Sequence, residues 1–200
     1  MSAPSTPETL RSMLTPALVD LFSQLEAPPL ETMNGDYSAE LLRQPTTTAT
    51  RLGRFAVDRP LWRWRSKGFR PVGARTGRGY NSFRVGSRIV QRYPMQTRLG
   101  PSRVDGRPAY HLLYPAFRSA CGAIGMVDEL RVVSDGVFLG IGTWGFSDAQ
   151  RHVPLPFLLL DTGRPYLGDI GTPRRGWVAS PRVMPRLGHP LATDAPKELA

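Results

Sequence analysis

Cysteine, histidine and lysine are all scarce in this chain: Cys121 stands alone, there are three scattered histidines, and Lys67 and Lys197 are the only lysines. A single cysteine excludes an internal disulfide and agrees with a reducing compartment, here expected to be the cytoplasm. Without a Cys/His cluster no metal site is expected. No run approaches the ~20 apolar residues of a membrane span. The start, MSAPSTPETL, has neither a basic n-region nor an apolar core, so it does not read as a secretory signal. The signatures of common enzymes are missing too. No GxSxG, HExxH, P-loop or dinucleotide fingerprint occurs, and GRGYNS (77–82) lacks the required spacing. No cofactor is therefore expected.

Glycine and proline, by contrast, are plentiful at 20 each in 200 residues, which suits a turn-rich all-β protein better than a helical bundle. The formal charge of +10 is carried almost wholly by arginine. These arginines are spread along the chain, only Arg174 and Arg175 are adjacent, and no RNP motif or continuous basic helix accompanies them. A solvated basic surface is the preferred reading, and nucleic acid is not the expected partner.

The pattern divides into an N-terminal helical segment (1–30), a β-barrel domain (31–160) and a Pro/Gly/Arg-rich tail (161–200). Ser5 with Glu8 makes a capping box and Pro7 suits a first helical turn; Thr15-Pro16 reads as a fresh start, giving two short helices or one kinked one. Leu14, Leu18, Leu21, Phe22 and Leu25 form one stripe, which predicts packing against a larger body. Residues 36–43 read as a further turn or two of helix. Short extended runs come next, near 52–57, 60–66, 79–85, 87–98, 107–114, 124–134, 137–144 and 154–160, punctuated by turn residues such as Val104-Asp105-Gly106 and Asp135-Gly136. About eight antiparallel strands in a meander predict a closed, lipocalin-like barrel, which removes both edges and can hold a small ligand. In the tail, Tyr166, Ile170 and Trp177 are candidate anchors onto the barrel. There is no internal repeat.

The hairpin VDELRVVSDGVFLGIGTWG (127–145) carries the main functional signal. A two-residue type I′ turn at Asp135-Gly136 pairs Arg131 with Gly140 and Glu129 with Gly142, on one face with Phe138 and Trp144. Leu130, Val132, Leu139 and Ile141 then share the opposite face. Either the apolar face fills the barrel and the charges are wet, or it packs under the N-terminal helices and Glu129, Arg131, Phe138 and Trp144 face a cavity, with Gly140 and Gly142 leaving room. The second reading is preferred. In PLWRWRSKGF (60–69), alternation places Trp62 and Trp64 on one face and Arg63, Arg65 and Lys67 on the other. In RPAYHLLYPAF (107–117), Tyr110, Leu112 and Tyr114 share a face opposite His111, and any of the three polar rings could move a proton. A lone strand histidine is more often structural than catalytic.

Residues 30–160 resemble the GXWXG-domain family with the small barrel-forming domain that comes after it. WRSKGF (64–69) is similar to that family's W-x-G-K-x-F signature through Trp64, Lys67 and Phe69, with Ser66 in place of the glycine. Tyr114, Glu129, Arg131, Leu139, Gly140, Phe157 and Leu159 match its later pattern. NGDY (34–37) stands where Gly-x-Trp-x-Gly belongs, so Tyr37 replaces the tryptophan. The resemblance implies a calycin-like ligand barrel and no particular reaction.

Together these features predict a barrel that binds a small, apolar or amphipathic molecule with a carbonyl or anionic group. Arg131, with Lys67, would hold the polar end, while Trp62, Trp64, Tyr110, Phe138, Gly140, Gly142 and Trp144 line the rest. In an enzyme, a cofactor-free cyclase or isomerase, Glu129 would be the acid/base, with Arg131, His111 and Tyr114 as further catalytic candidates. The alternatives are a carrier of hydrophobic ligands and a basic interaction module. A homodimer is compatible with each.

Overall fold

Proline and threonine set the start of the chain. The Thr6 hydroxyl accepts a hydrogen bond from the Thr9 N–H, Pro7 comes next, and helix α1 runs over Pro7–Ser12. Helix α2, Thr15–Gln24, starts afresh with Pro16 in its first turn, so the Thr-Pro signal produces two helices. The computed structural model describes residues 6–47, 50–51, 58–59, 62–180, 184 and 187. Ser5 and the extended run expected at 52–57 lie outside the described residues, as does the Trp62 side chain.

Among the described residues the rest of the fold is built on nine strands: β1 (Gly35–Leu41), β2 (Asp58–Arg59), β3 (Trp62–Pro71), β4 (Gly77–Val85), β5 (Arg88–Pro101), β6 (Pro108–Leu113), β7 (Val127–Ser134), β8 (Val137–Thr143) and β9 (Leu155–Arg164). All pairings are antiparallel, and β1 bonds both β3 and β9. This closes β1 and β3–β9 into an eight-stranded barrel, with β2 appended to β3. The segment expected to be helical, 36–43, is thus a strand up to Leu41. Its Ala-Glu-Leu-Leu run favours helix locally, but pairing on both sides satisfies its backbone and removes the sheet's open edges.

Two irregularities decide which side chains enter the barrel. In β7 the pairing slips between Val132 and Ser134, leaving Val133 as an extra residue. A type I′ turn needs positive φ at both central positions; Gly136 has φ 67°, but Asp135 is not in that region. The hairpin therefore adopts a bulge, and Glu129 pairs with Ile141, Arg131 with Leu139 and Asp128 with Gly142. In β3 a similar slip between Trp64 and Ser66 leaves Arg65 extra and moves Lys67 onto the side of Trp64. A one-residue shift inverts every side chain beyond it.

The inner core joins Tyr37, Phe69, Met95, Tyr110, Leu112, Leu130, Phe138, Phe157 and Leu159. Leu30 and Met33, just before β1, belong to it and close that end of the barrel. A second core lies outside the wall, where Leu18, Val19 and Phe22 of α2 cover Leu139, Ile141 and Leu158. Leu14 is not part of that stripe and is 59% exposed. After β9 the tail crosses the outside of the barrel. Tyr166 packs on Tyr80 with ring centroids 4.8 Å apart, and Asp169 forms a bidentate pair with Arg70 at 2.7 Å for each bond. Further on, Ile170 accepts a hydrogen bond from Arg78 at 2.8 Å and Trp177 is half-buried.

Candidate functional site

The end of the barrel opposite Leu30 and Met33 opens into a cavity of about 500 Å³, within the usual ~300–1,000 Å³ of small-molecule pockets. Its walls are mainly apolar: Leu41, Trp64, Phe83, Tyr93, Ile124, Met126, Leu155 and Phe157. Trp144 and Gln150, from the β8–β9 connection, and Gln44 and Thr46, after β1, lie nearer the opening. Tyr93 adopts φ 54°, a strained value for a side-chain-bearing residue, where the β4–β5 pairing slips.

A polar cluster forms the floor. The β3 bulge turns Lys67 inward, and its ammonium donates to Asn81 Oδ1 at 3.0 Å, Tyr114 Oη at 2.5 Å and Asp128 Oδ2 at 2.9 Å. Tyr114 donates to Asp128 Oδ2 at 3.2 Å and accepts from Asn81 Nδ2 at 2.9 Å. The Trp64 indole N–H reaches Asn81 Oδ1 at 3.0 Å. The rings of Trp64, Phe157 and Tyr114 surround the ammonium, with centroids 5.1–5.2 Å away. Burial, and then the charge of Asp128, push the Tyr114 phenol well above its ordinary value, so it stays protonated and donates. Burial likewise pushes the thiol of Cys121, in the cavity wall, up to about 12.

This arrangement spends all three N–H groups of Lys67 and neutralises its charge with Asp128. Asp128 Oδ1 remains without a hydrogen bond among the described residues. Beside it lies Gly142, where a Cβ would come within 2.7 Å of that oxygen. The floor thus offers one carboxylate oxygen, with space next to it, in a neutral surrounding.

The residues singled out from the sequence separate into two groups. Trp64, Lys67, Tyr114, Gly142 and Trp144 line the cavity. Tyr110 and Phe138 lie deeper in the inner core, and Phe157 covers Gly140, where a Cβ would meet its ring at 2.2 Å. The expected inward placement of Glu129 and Arg131 is corrected by the β7 bulge: both point out of the barrel, as does His111, which pairs with Glu129. Neither is wet, because both are 0% exposed.

Outside the wall these residues fasten loops and helices. Arg131 uses all five N–H groups. It donates to both carboxylate oxygens of Asp105 at 2.7 Å, and to the carbonyls of Phe22 at 2.7 Å, Pro108 at 3.1 Å and Arg107 at 3.2 Å. Glu129 accepts from Ser102 at 2.6 Å and from the Arg103 Nε and backbone N–H at 2.7 and 2.9 Å. Burial raises the pKa of Glu129, but the charge of Arg103 and these hydrogen bonds outweigh it and hold the carboxyl below its ordinary value. Burial pushes His111 down to about 4 against the attraction of Glu129, and neither ring nitrogen has a hydrogen-bond partner.

The two members of the polar floor missed in the sequence are Asn81 and Asp128. Asp128 sits beside Glu129 and differs from it only in strand parity, which the bulge reverses. Asn81 carries no signal beyond being an amide between Tyr80 and Phe83 in a strand.

Among the described residues no group of His, Cys, Asp or Glu is placed to hold a metal ion, and no helix is long and apolar enough to cross a membrane. No family model matches the chain, and no curated protein sequence matches it. A solved structure described as a protein from Thermomonospora curvata aligns with a TM-score of 0.47 and 13% identity, over 74% of this chain and 88% of its own.

Proposed function

We propose that the barrel binds a small, largely apolar and uncharged molecule whose hydroxyl donates a hydrogen bond to Asp128 Oδ1. The observation that carries this reading is the closed circuit of Lys67, Asn81, Tyr114 and Asp128 at the floor of an apolar cavity. A ligand carboxylate would meet Asp128 with no unspent cation to offset the repulsion, and a ligand ammonium would meet Lys67. A hydroxyl faces neither penalty, and its hydrogen bond to a charged acceptor is worth ~1.5–3 kcal/mol. The expectation of an anionic group held by Arg131 is accordingly replaced, since Arg131 reaches no cavity atom. The inward residues Trp64, Lys67, Phe69 and Tyr114, which carry the GXWXG resemblance, support a family relationship as a further part of this proposal.

The test is a panel of one chain length: an alkanol, the matching methyl ketone and the matching carboxylate, titrated by tryptophan fluorescence through Trp64 and Trp144. The alkanol should bind tightest, the ketone roughly tenfold more weakly for want of a donor, and the carboxylate weakest. Gly142→Ala, which fills the space beside Oδ1, should remove the alkanol's advantage. A carboxylate that binds tightest would refute the neutral-ligand reading.

A further inference from the structure

The arginines are spread along the chain, but its net positive charge is concentrated. Between residues 59 and 104 there are twelve Lys and Arg and no Asp or Glu, whereas the remaining chain holds fourteen basic and sixteen acidic residues. That stretch forms β3, β4 and β5, three neighbouring strands of the wall.

Both ends of the barrel carry arginine ion pairs, and at the open end Arg11 meets Glu40 and Arg151 meets Asp148. At the closed end Arg70 and Arg78 meet Asp169, Arg107 meets Glu26, Arg131 meets Asp105 and Arg164 meets Asp36. At the open end Arg84 and Arg88, beside the β4–β5 turn, are exposed and enter no ion pair among the described residues. Arg43, just past the end of β1, is likewise exposed and, among those residues, unpaired. Exposed apolar side chains occur at the same end. Ile89, paired across from Arg84, is 44% exposed. Phe146, in the β8–β9 connection, is 75% exposed. Leu14 adjoins Thr15, whose hydroxyl bonds the Arg43 carbonyl at 2.7 Å.

Unpaired arginines and exposed apolar groups at the open end of an apolar cavity match one kind of surface. We propose that the open end docks on an anionic lipid bilayer, its arginines on lipid phosphates and Phe146 and Ile89 in the headgroup–acyl boundary, so that the cavity opens toward the bilayer. Anionic headgroups attract each nearby arginine, and a shallow apolar insertion adds to the attraction. A nucleic acid would satisfy the arginines and could stack one base on Phe146, but the exposed groups beside Arg84 and Arg43 are aliphatic, unlike the successive aromatic platforms on which bases stack. This goes beyond the ligand proposal and does not depend on it, since the bilayer contact uses no cavity residue.

The test is co-sedimentation of the full chain with vesicles of phosphatidylcholine alone and of phosphatidylcholine with phosphatidylserine, at low and raised salt. Binding is expected only with phosphatidylserine, and salt should weaken it. Arg84→Glu/Arg88→Glu should lower the partition coefficient at least tenfold, because each arginine contributes about fivefold at an anionic surface. Phe146→Ser should lower it several-fold. Arg75→Glu, an exposed site on the β3–β4 turn at the closed end, should leave it within about twofold, which separates rim recognition from net charge. Circular dichroism checks that each variant is folded. Absence of vesicle binding would overturn the proposal, as would equal loss with Arg75→Glu, or binding to an oligonucleotide in preference to vesicles.

Discussion

Strand β7 carries two acids side by side, and the structure uses them in opposite ways. Glu129 faces outward, fully buried, with hydrogen bonds from Ser102 and from the side chain and backbone of Arg103 converging on its carboxylate. Asp128 faces inward, where one oxygen is held by Lys67 and Tyr114 and the other is left for the cavity. A saturated buried ion pair fixes geometry. It has nothing left to offer a ligand, because every donor and acceptor is committed. Arg131 belongs to the first class: its five N–H groups tie α2, the 102–107 loop and β7 together. Lys67 belongs to the second, but only as the partner that holds Asp128 in place. Burial and charge therefore do not by themselves mark a binding site; an unspent atom beside open space does.

The largest effect should come from breaking the outer side. Arg131→Met removes the guanidinium donors from Asp105 and from three carbonyls, and loss of one partner from a buried pair costs ~3–5 kcal/mol. Urea denaturation should read that loss, and a change below ~1 kcal/mol would mean that the clamp is not what fastens α2 to the barrel.

The next effect is a pH dependence, also assigned to the outer side. His111 has its folded pKa lowered to about 4, whereas in the unfolded chain it titrates near ~6.5. Its contribution to stability is therefore complete above the unfolded value and is lost as pH falls from ~6.5 toward 4, by about 3 kcal/mol in all. Glu129, lowered below its ordinary value, adds a second loss at more acid pH, as its folded pKa is passed. In His111→Leu the decline between pH ~6.5 and 4 should flatten while the steeper acid limb remains. An unchanged profile would place the titration elsewhere.

The legibility of the molecule in its sequence divides along the same line. The antiparallel barrel, the two-helix start, the β8 face of Phe138, Gly140, Gly142 and Trp144, and the inward set Tyr110, Leu112 and Tyr114 all rest on regular alternation or turn residues. Alternation survives wherever a strand is regular. It fails at Val133 and Arg65, because a bulge adds one residue without a compositional mark and inverts the parity of the strand beyond it. That single kind of error exchanged Asp128 for Glu129 and set Lys67 apart from Trp64. β1 was hidden for another reason. Its residues prefer helix locally, and only the barrel closure, a long-range pairing with β3 and β9, makes them a strand.

The most direct test of the two-sided account compares Asp128→Asn with Glu129→Gln, measuring for each the ratio of alkanol to methyl-ketone affinity on folded protein by tryptophan fluorescence. Asparagine at 128 replaces a charged acceptor with an amide that can also donate, so the roughly tenfold preference for the alkanol should collapse. Glutamine at 129 should lower stability and leave the preference as it is. A preference that survives Asp128→Asn and disappears with Glu129→Gln would contradict the assignment of the inner face to binding and the outer face to the fold.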